Sequence, residues 1–316
     1  MAPPTEAAAV WKGARVEAMD EIHAVLLGTF AGTVARLSLL RVDYRQYPST
    51  PQGFWVHFVL GMLASALGAV AVPAILSKNW VAVTFLAMGA QHFREIRNME
   101  RTSLETMEHG EYVRRGGAYI EDIAKKFESR NYIALLTGML SCIAAVFAGI
   151  LAGGVTAVVC ILGMRQFTKS LYVRMLAKVE AADFQFDGFL LKIDGVVIKN
   201  VGLKESRKLL SKHLYCCKIL PQSSEARITL AEPGQRAAIV YDVCTQLGMA
   251  EDDEPDLHPF SKYDGATGAA YIGLVLRDGE EDALVEAVKN CVILEGSRKK
   301  PAQSKAGEMG GKDDAR

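Results

Sequence analysis

Two long apolar blocks dominate the first half of the chain, Phe54–Phe93 and Tyr132–Met164. Between them lies Arg94–Arg130, dense in charges of both signs. A shorter block, Ile22–Leu40, precedes them. A helix rises 1.5 Å per residue, so roughly twenty apolar residues cross a ~30 Å hydrocarbon core. Ile22–Leu40 meets that length. It contains Arg36 close to its end, where the side chain is expected to snorkel toward the interface. Each longer block is too long for one crossing. Phe54–Phe93 breaks at Asn79-Trp80, and Tyr132–Met164 breaks in the glycine-bearing Gly149–Gly154. Both therefore read as helical hairpins, giving about five spans. Val81–Phe93 is short for a full crossing. Gly28 and Gly32 are four apart, a spacing that allows close helix contact. Arg41–Gly53, with Pro48 and Pro51, reads as a loop, and Tyr44 and Tyr47 suit an interface.

From Glu180 the pattern changes to that of a soluble domain. Phe189–Ile193, Asp194-Gly195 and Val196–Val201 read as a β-hairpin with a D-G turn. Leu203–His213, Gln235–Leu247 and Glu280–Asn290 read as helices. Leu214–Leu220, Ala226–Leu230, Ala269–Leu276 and Val292–Glu295 read as strands. This mixture predicts a two-layer α/β domain. The expected organisation is a leader or interfacial helix over 1–21 and a transmembrane domain over 22–179, with a cytoplasmic loop at 94–130. A soluble α/β domain over 180–296 and a disordered tail over 297–316 follow.

Charge fixes the expected orientation. The loop Arg94–Arg130 carries eight Lys and Arg residues. Positive loops stay on the cytoplasmic side, so that loop and the soluble domain are expected there. The formal net charge is zero, which gives no whole-molecule field to favour nucleic acid. Six cysteines show no C-x-x-C spacing and read as reduced thiols. The vicinal pair Cys216-Cys217 points to opposite faces if it lies in a strand.

Candidate chemistry is sparse. Arg94, Arg97 and Arg101 fall at i, i+3, i+7 on one helix face and, with Arg130, form a candidate anion- or partner-binding group. A solvated, salt-bridged helix explains the same spacing. Glu121 and Asp122 are adjacent, so on a helix their side chains diverge by about 100°. They and Asp43 are the acids a membrane-embedded aspartyl-type protease would have to use. No metal cluster, G-x-S-x-G, H-E-x-x-H or Walker motif occurs, and no reaction or cofactor is assigned. Lys192–Leu210 resembles half of a PDZ-type module, which implies a peptide groove, although no G-L-G-F loop precedes it.

Tyr119, Ile120, Glu121, Asp122, Ile123 and Ala124 spell Y-I-E-D-I-A. Together with R-V-D-Y-R-Q-Y-P (Arg41–Pro48), R-E-I-R-N-M-E-R (Arg94–Arg101), F-E-S-R-N-Y (Phe127–Tyr132), G-Q-R (Gly234–Arg236) and L-E-G-S-R (Leu294–Arg298), it resembles the YIEGIA family. These are membrane proteins of spore-forming Firmicutes, named after the hexapeptide. Asp122 stands where the name has glycine. The resemblance implies a sporulation-associated integral membrane protein in the cell or forespore membrane. The expected function is a non-enzymatic membrane module. It would couple a cytoplasmic α/β domain, which binds a protein partner or small ligand, to the lipid bilayer. A membrane-embedded protease or a small transporter is the alternative.

Overall fold

A computed structural model describes residues 4–43, 51–167, 171–248, 254–276 and 280–299. The chain divides into two compact units: Met1–Arg101 with Ile123–Lys169, and Thr102–Asp122 with Ser170–Arg316. The first is helical and the second is mixed α/β. Tyr44, Tyr47 and Pro48, residues 249–253 and the tail from 300 onward lie outside the described residues, as do the side chains of Trp11 and Asp43.

The helical unit draws on α1 (Pro4–Asp43), α2 (Pro51–Leu76), α3 (Trp80–Glu108), α4 (Gly117–Ala148) and α5 (Ile150–Phe167). Three segments are long and apolar enough to cross a membrane: Asp20–Leu39, Phe54–Leu76 and Gly117–Ala148. The shorter Ile150–Met164 is also apolar. The apolar faces point outward. Ile22, Leu26 and Phe30 on α1 are exposed, as are Val81 and Phe85 on α3 and Leu151 and Val155 on α5. Small residues point inward: Ala24, Ala31 and Ala35 are buried. A water-soluble helix does the reverse. In lipid, burying apolar side chains between helices gains little, so helices associate through small residues that let backbones approach.

Gly28 and Gly32 serve that contact. A Cβ on Gly32 would lie 2.2 Å from Ser65 Oγ and 2.3 Å from the Ala134 carbonyl. A Cβ on Gly28 would lie 2.5 Å from the Gly138 carbonyl. Ser65 Oγ donates to Thr29 O at 2.7 Å, tying α2 to α1.

The structure sharpens three helical expectations and corrects a fourth. The connecting stretch Arg94–Arg130 is helical at both ends: α3 continues to Glu108, as the arginine spacing expected, and α4 begins at Gly117. The charged residues extend the helices that start or end in apolar sequence. Val81–Phe93 is the first half of that single 29-residue α3. The second block breaks only at Gly149, whose φ is +89°, while α5 runs unbroken through Gly153 and Gly154. Arg36 does not snorkel. It is fully buried, because Gly61 of α2 leaves space for its stem.

The α/β unit contains β1 (Ala177–Ala181), β2 (Phe184–Asp187), β3 (Leu190–Ile193), β4 (Val196–Asn200), α6 (Lys204–His213), β5 (Leu214–Pro221), α7 (Ser224–Ala231), α8 (Pro233–Leu247), β6 (Phe260–Tyr263), β7 (Ala270–Val275) and α9 (Glu281–Lys289). An antiparallel sheet has the order β1-β5-β7-β6, and a second has the order β2-β3-β4. Asp194 (φ +49°) and Gly195 (φ +80°) form the β3–β4 turn, as the D-G pair predicts.

Side-chain alternation along β5 builds two cores. Cys217 and Ile219 face α8 and α9 with Ile239, Val243, Leu284 and Val288. Leu214 and Cys216 face the smaller sheet and α6, with Leu191, Ile193 and Leu210. The vicinal cysteines therefore do point to opposite faces. The larger sheet is covered on both sides, one layer more than expected, and every residue of β7 is buried. Ala226–Leu230 is helix rather than strand. Ser223 caps it by accepting Ala226 N–H at 3.1 Å, and the buried Ala226, Thr229 and Leu230 follow helical spacing. Val292–Glu295 forms no strand beyond a single bridge, Tyr172 to Val292.

Candidate functional site

Most of the hexapeptide is interior. Tyr119, Ile120, Asp122, Ile123 and Ala124 are buried on α4, and Glu121 is half-buried. Helical phase separates the two acids. Asp122 Oδ1 accepts the backbone N–H of Glu295 at 2.9 Å. Within the α/β unit this joins Asp122 to the L-E-G-S-R run.

G-Q-R completes the cluster, and each of its residues has a distinct task. Gly234 lies against Ala118, where a Cβ would come 2.5 Å from the Ala118 Cβ. Gln235 is fully buried and works as a backbone clip. Its Nε2 donates to Val292 O at 3.1 Å, and its Oε1 accepts Leu294 N–H at 2.7 Å. Arg236 donates to the Leu230 and Ala231 carbonyls, both at 2.7 Å, closing the C-terminus of α7.

The turn before α4 is pinned to the same place. Glu108 Oε1 accepts Gly116 N–H at 2.5 Å. Arg115 pairs with Glu111 at 2.7 Å and lies 4.9 Å from the centroid of the Tyr241 ring. Burial opposes its charge, but Tyr241 and Glu111 outweigh burial and raise the guanidinium above its usual range. Tyr119 meets Tyr241 edge-on at 6.0 Å, and Tyr112 meets His258 at 4.6 Å. Sequence reasoning missed Arg115, Tyr241 and Gln235 as members of this junction. Only the presence of G-Q-R among the family-like runs hinted at it.

The predicted arginine face is divided. Arg94 and Arg101 are exposed, whereas Arg97 donates to Glu128 Oε2 at 3.0 Å, linking α3 to α4 in the helical unit. Arg130 is buried on α4. Asp43 belongs to the helical unit and Glu121 and Asp122 to the α/β unit.

Polar groups do enter the helical interior: Thr33, Arg36, His57, Ser65, Asn131, Thr137 and Ser141 are buried. Arg36 Nη2 lies 3.0 Å from His57 Nδ1, and the guanidinium lies 5.4 Å from the Phe127 ring centroid. A guanidinium only donates, so Nδ1 accepts and the imidazole proton sits on Nε2. Gln91 and His92 are exposed. A cavity of about 640 Å³ at the other end of this unit is lined by Asp20, Glu21, Ala145, Val146 and Ala148–Leu151. Among the described residues, no group of three or more His, Cys, Asp or Glu could hold a metal ion.

The family model described as YIEGIA protein matches residues 24–304, which include both units and every part of the junction. The chain belongs to the YIEGIA family. It is 37% identical over 285 residues to the uncharacterized protein YphB of Bacillus subtilis (strain 168), covering 90% of this chain and 96% of that relative. No solved structure matches. Membership agrees with the resemblance carried by the hexapeptide, with its Firmicutes and sporulation association. Together with the membrane-length helices it makes this YIEGIA protein an integral membrane protein with an appended non-membrane α/β domain.

Proposed function

We propose that this YIEGIA protein is a non-enzymatic membrane module that couples a partner- or ligand-binding α/β domain to the bilayer during sporulation. One observation carries the reading. Thr102–Asp122, the end of α3 and the start of α4, belongs to the α/β unit, while the rest of both helices belongs to the helical unit. A binding event that shifted α8 or the Leu294–Glu295 segment would pull on Arg115, Tyr119 and Asp122, and hence on both helices. The apolar first half of α3 and the apolar α5 would supply the fourth and fifth spans, completing two hairpins. The positive-inside rule puts the α/β domain on the cytoplasmic side. The cytoplasmic stretch expected over 94–130 would then include 102–122, which groups with the α/β unit. Arg94 and Arg101 remain candidates for an anion or partner at the cytoplasmic end of α3.

The test uses a spore-forming host lacking its own copy. Arg115→Ala with Asp122→Ala is expected to leave membrane insertion intact and to lower spore yield. Wild-type yield from that variant would refute coupling. An Asp43→Ala variant that alone abolished function would favour the aspartyl-protease alternative.

A further inference from the structure

We propose that the outer face of α6, with Phe189 and Leu203 beside it, is a docking surface for an anionic lipid bilayer. Helix α6 buries Ser206 and Leu210, so the opposite face looks outward. Lys204, Lys208 and Lys212 repeat every four residues along that face and are exposed. Arg207 flanks them, and Glu205 is the only acid on the helix.

Beside this cationic row lies exposed apolar surface. Phe189 is 59% exposed and Leu203 53%. Arg207 holds the two together. Its guanidinium lies 5.0 Å from the Phe189 ring centroid, and its Nη1 donates to Val201 O at 2.7 Å and Gly202 O at 2.9 Å. Val201 N–H donates to Phe189 O at 2.8 Å, so the aromatic ring is anchored at the N-terminus of α6.

Among the described residues, Asp187 is paired with Lys192 at 2.5 Å, and Glu254 accepts from Ser206 at 2.8 Å on the buried side of α6, away from the lysines. Cations surrounding an exposed aromatic and a leucine match an interface of anionic headgroups over acyl chains. Each Lys or Arg near such a surface adds about a fivefold factor in binding. The same chain carries three membrane-length helices, so a bilayer is always held near this domain at high effective concentration. That favours lipid over a free acidic partner. The inference needs only the membrane anchoring, not the coupling proposed above.

The test is hydrogen–deuterium exchange of the full-length protein in nanodiscs. Pure phosphatidylcholine is compared with a 7:3 mixture of phosphatidylcholine and phosphatidylglycerol. Amides over 188–213 are expected to exchange about tenfold more slowly in the anionic bilayer, with the difference lost in 1 M salt. The exposed-site variant Lys204→Glu/Lys208→Glu/Lys212→Glu is expected to abolish the difference, and Phe189→Ser to reduce it. Equal exchange in the two bilayers would overturn the proposal and leave the face to an acidic protein surface. Lipid-dependent protection that survives the triple charge reversal would overturn it as well.

Discussion

Asp122 and Glu295 are 173 residues apart in sequence, yet the carboxylate of one accepts the backbone N–H of the other at 2.9 Å. Asp122 also occupies the position where the family's eponymous hexapeptide has glycine. The acid therefore has a task that glycine could not perform. A hydrogen bond to a buried charged group contributes about 1.5–3 kcal/mol, and a glycine in a helix costs about 1 kcal/mol relative to alanine. Asp122→Gly is expected to lower the thermal midpoint of the detergent-solubilised protein more than Asp122→Asn does. A midpoint for Asp122→Gly equal to that of the original would remove the carboxylate from the account.

Close approach of α1, α2 and α4 makes Gly32 sensitive to a single methyl group. Gly32→Ala would force Ser65 and the Ala134 carbonyl apart, at a cost of about 1–3 kcal/mol from overpacking. Gly154 has open space around the corresponding position, so Gly154→Ala is expected to be silent. Thermal unfolding of both variants in the same detergent compares them directly.

The thiols of the α/β unit give a pH-dependent signature. Burial pushes Cys216 and Cys244 up to about 12, and Cys217 higher still. An unfolded thiol titrates near ~8.5. The folded state thus holds its protons longer. The stabilisation is complete below the unfolded value and disappears as pH rises through the folded one. Stability should fall between pH 9 and pH 12, and at pH 8 these cysteines should resist iodoacetamide until denaturant is added. Rapid labelling of native protein at pH 8 would show that β5 is not packed on both faces.

Arg36 donates to His57, and its guanidinium lies over the Phe127 ring. Lysine cannot reproduce both contacts, because its ammonium is compact and not planar. Arg36→Lys is therefore expected to destabilise the helical unit despite conserving charge. A thermal midpoint equal to that of the original would show that only the charge matters there.

The β3–β4 turn offers a local test. Gly195 has φ +80°, a left-handed conformation that costs other residues about 1 kcal/mol. Gly195→Val should lower the urea midpoint of the α/β transition by a corresponding amount.

Period and composition made much of this legible. Leu214–Leu220 was readable as a short, nearly continuous apolar run, and Gln235–Leu247 because its apolar positions repeat every 3.6 residues. The D-G turn was readable because few pairs tolerate two positive φ values. The opposed faces of Cys216 and Cys217 followed from strand geometry alone. Ala226–Leu230 misled because five residues cannot separate the two periods, and the Ser223 cap decided in favour of helix. Within Arg94–Arg130 the arginine spacing marked the helical start, but not how far the two helices extend, because charge marks exposure to water, which a helix tolerates as readily as a loop. The short strands β1, β2 and β6 escaped because four or five residues give too little pattern.

By itself the sequence determined that the chain enters a membrane, that an α/β domain follows, and which family it joins. Those properties depend on the length, polarity and identity of contiguous residues. Tertiary structure alone decided that Arg36 is buried beside His57, that Gly32 lies against Ser65, and that Thr102–Asp122 groups with the α/β domain. It also brought Y-I-E-D-I-A, G-Q-R and L-E-G-S-R together. Such contacts depend on packing between residues far apart in sequence, where steric fit and hydrogen-bond satisfaction leave no periodic trace along the chain.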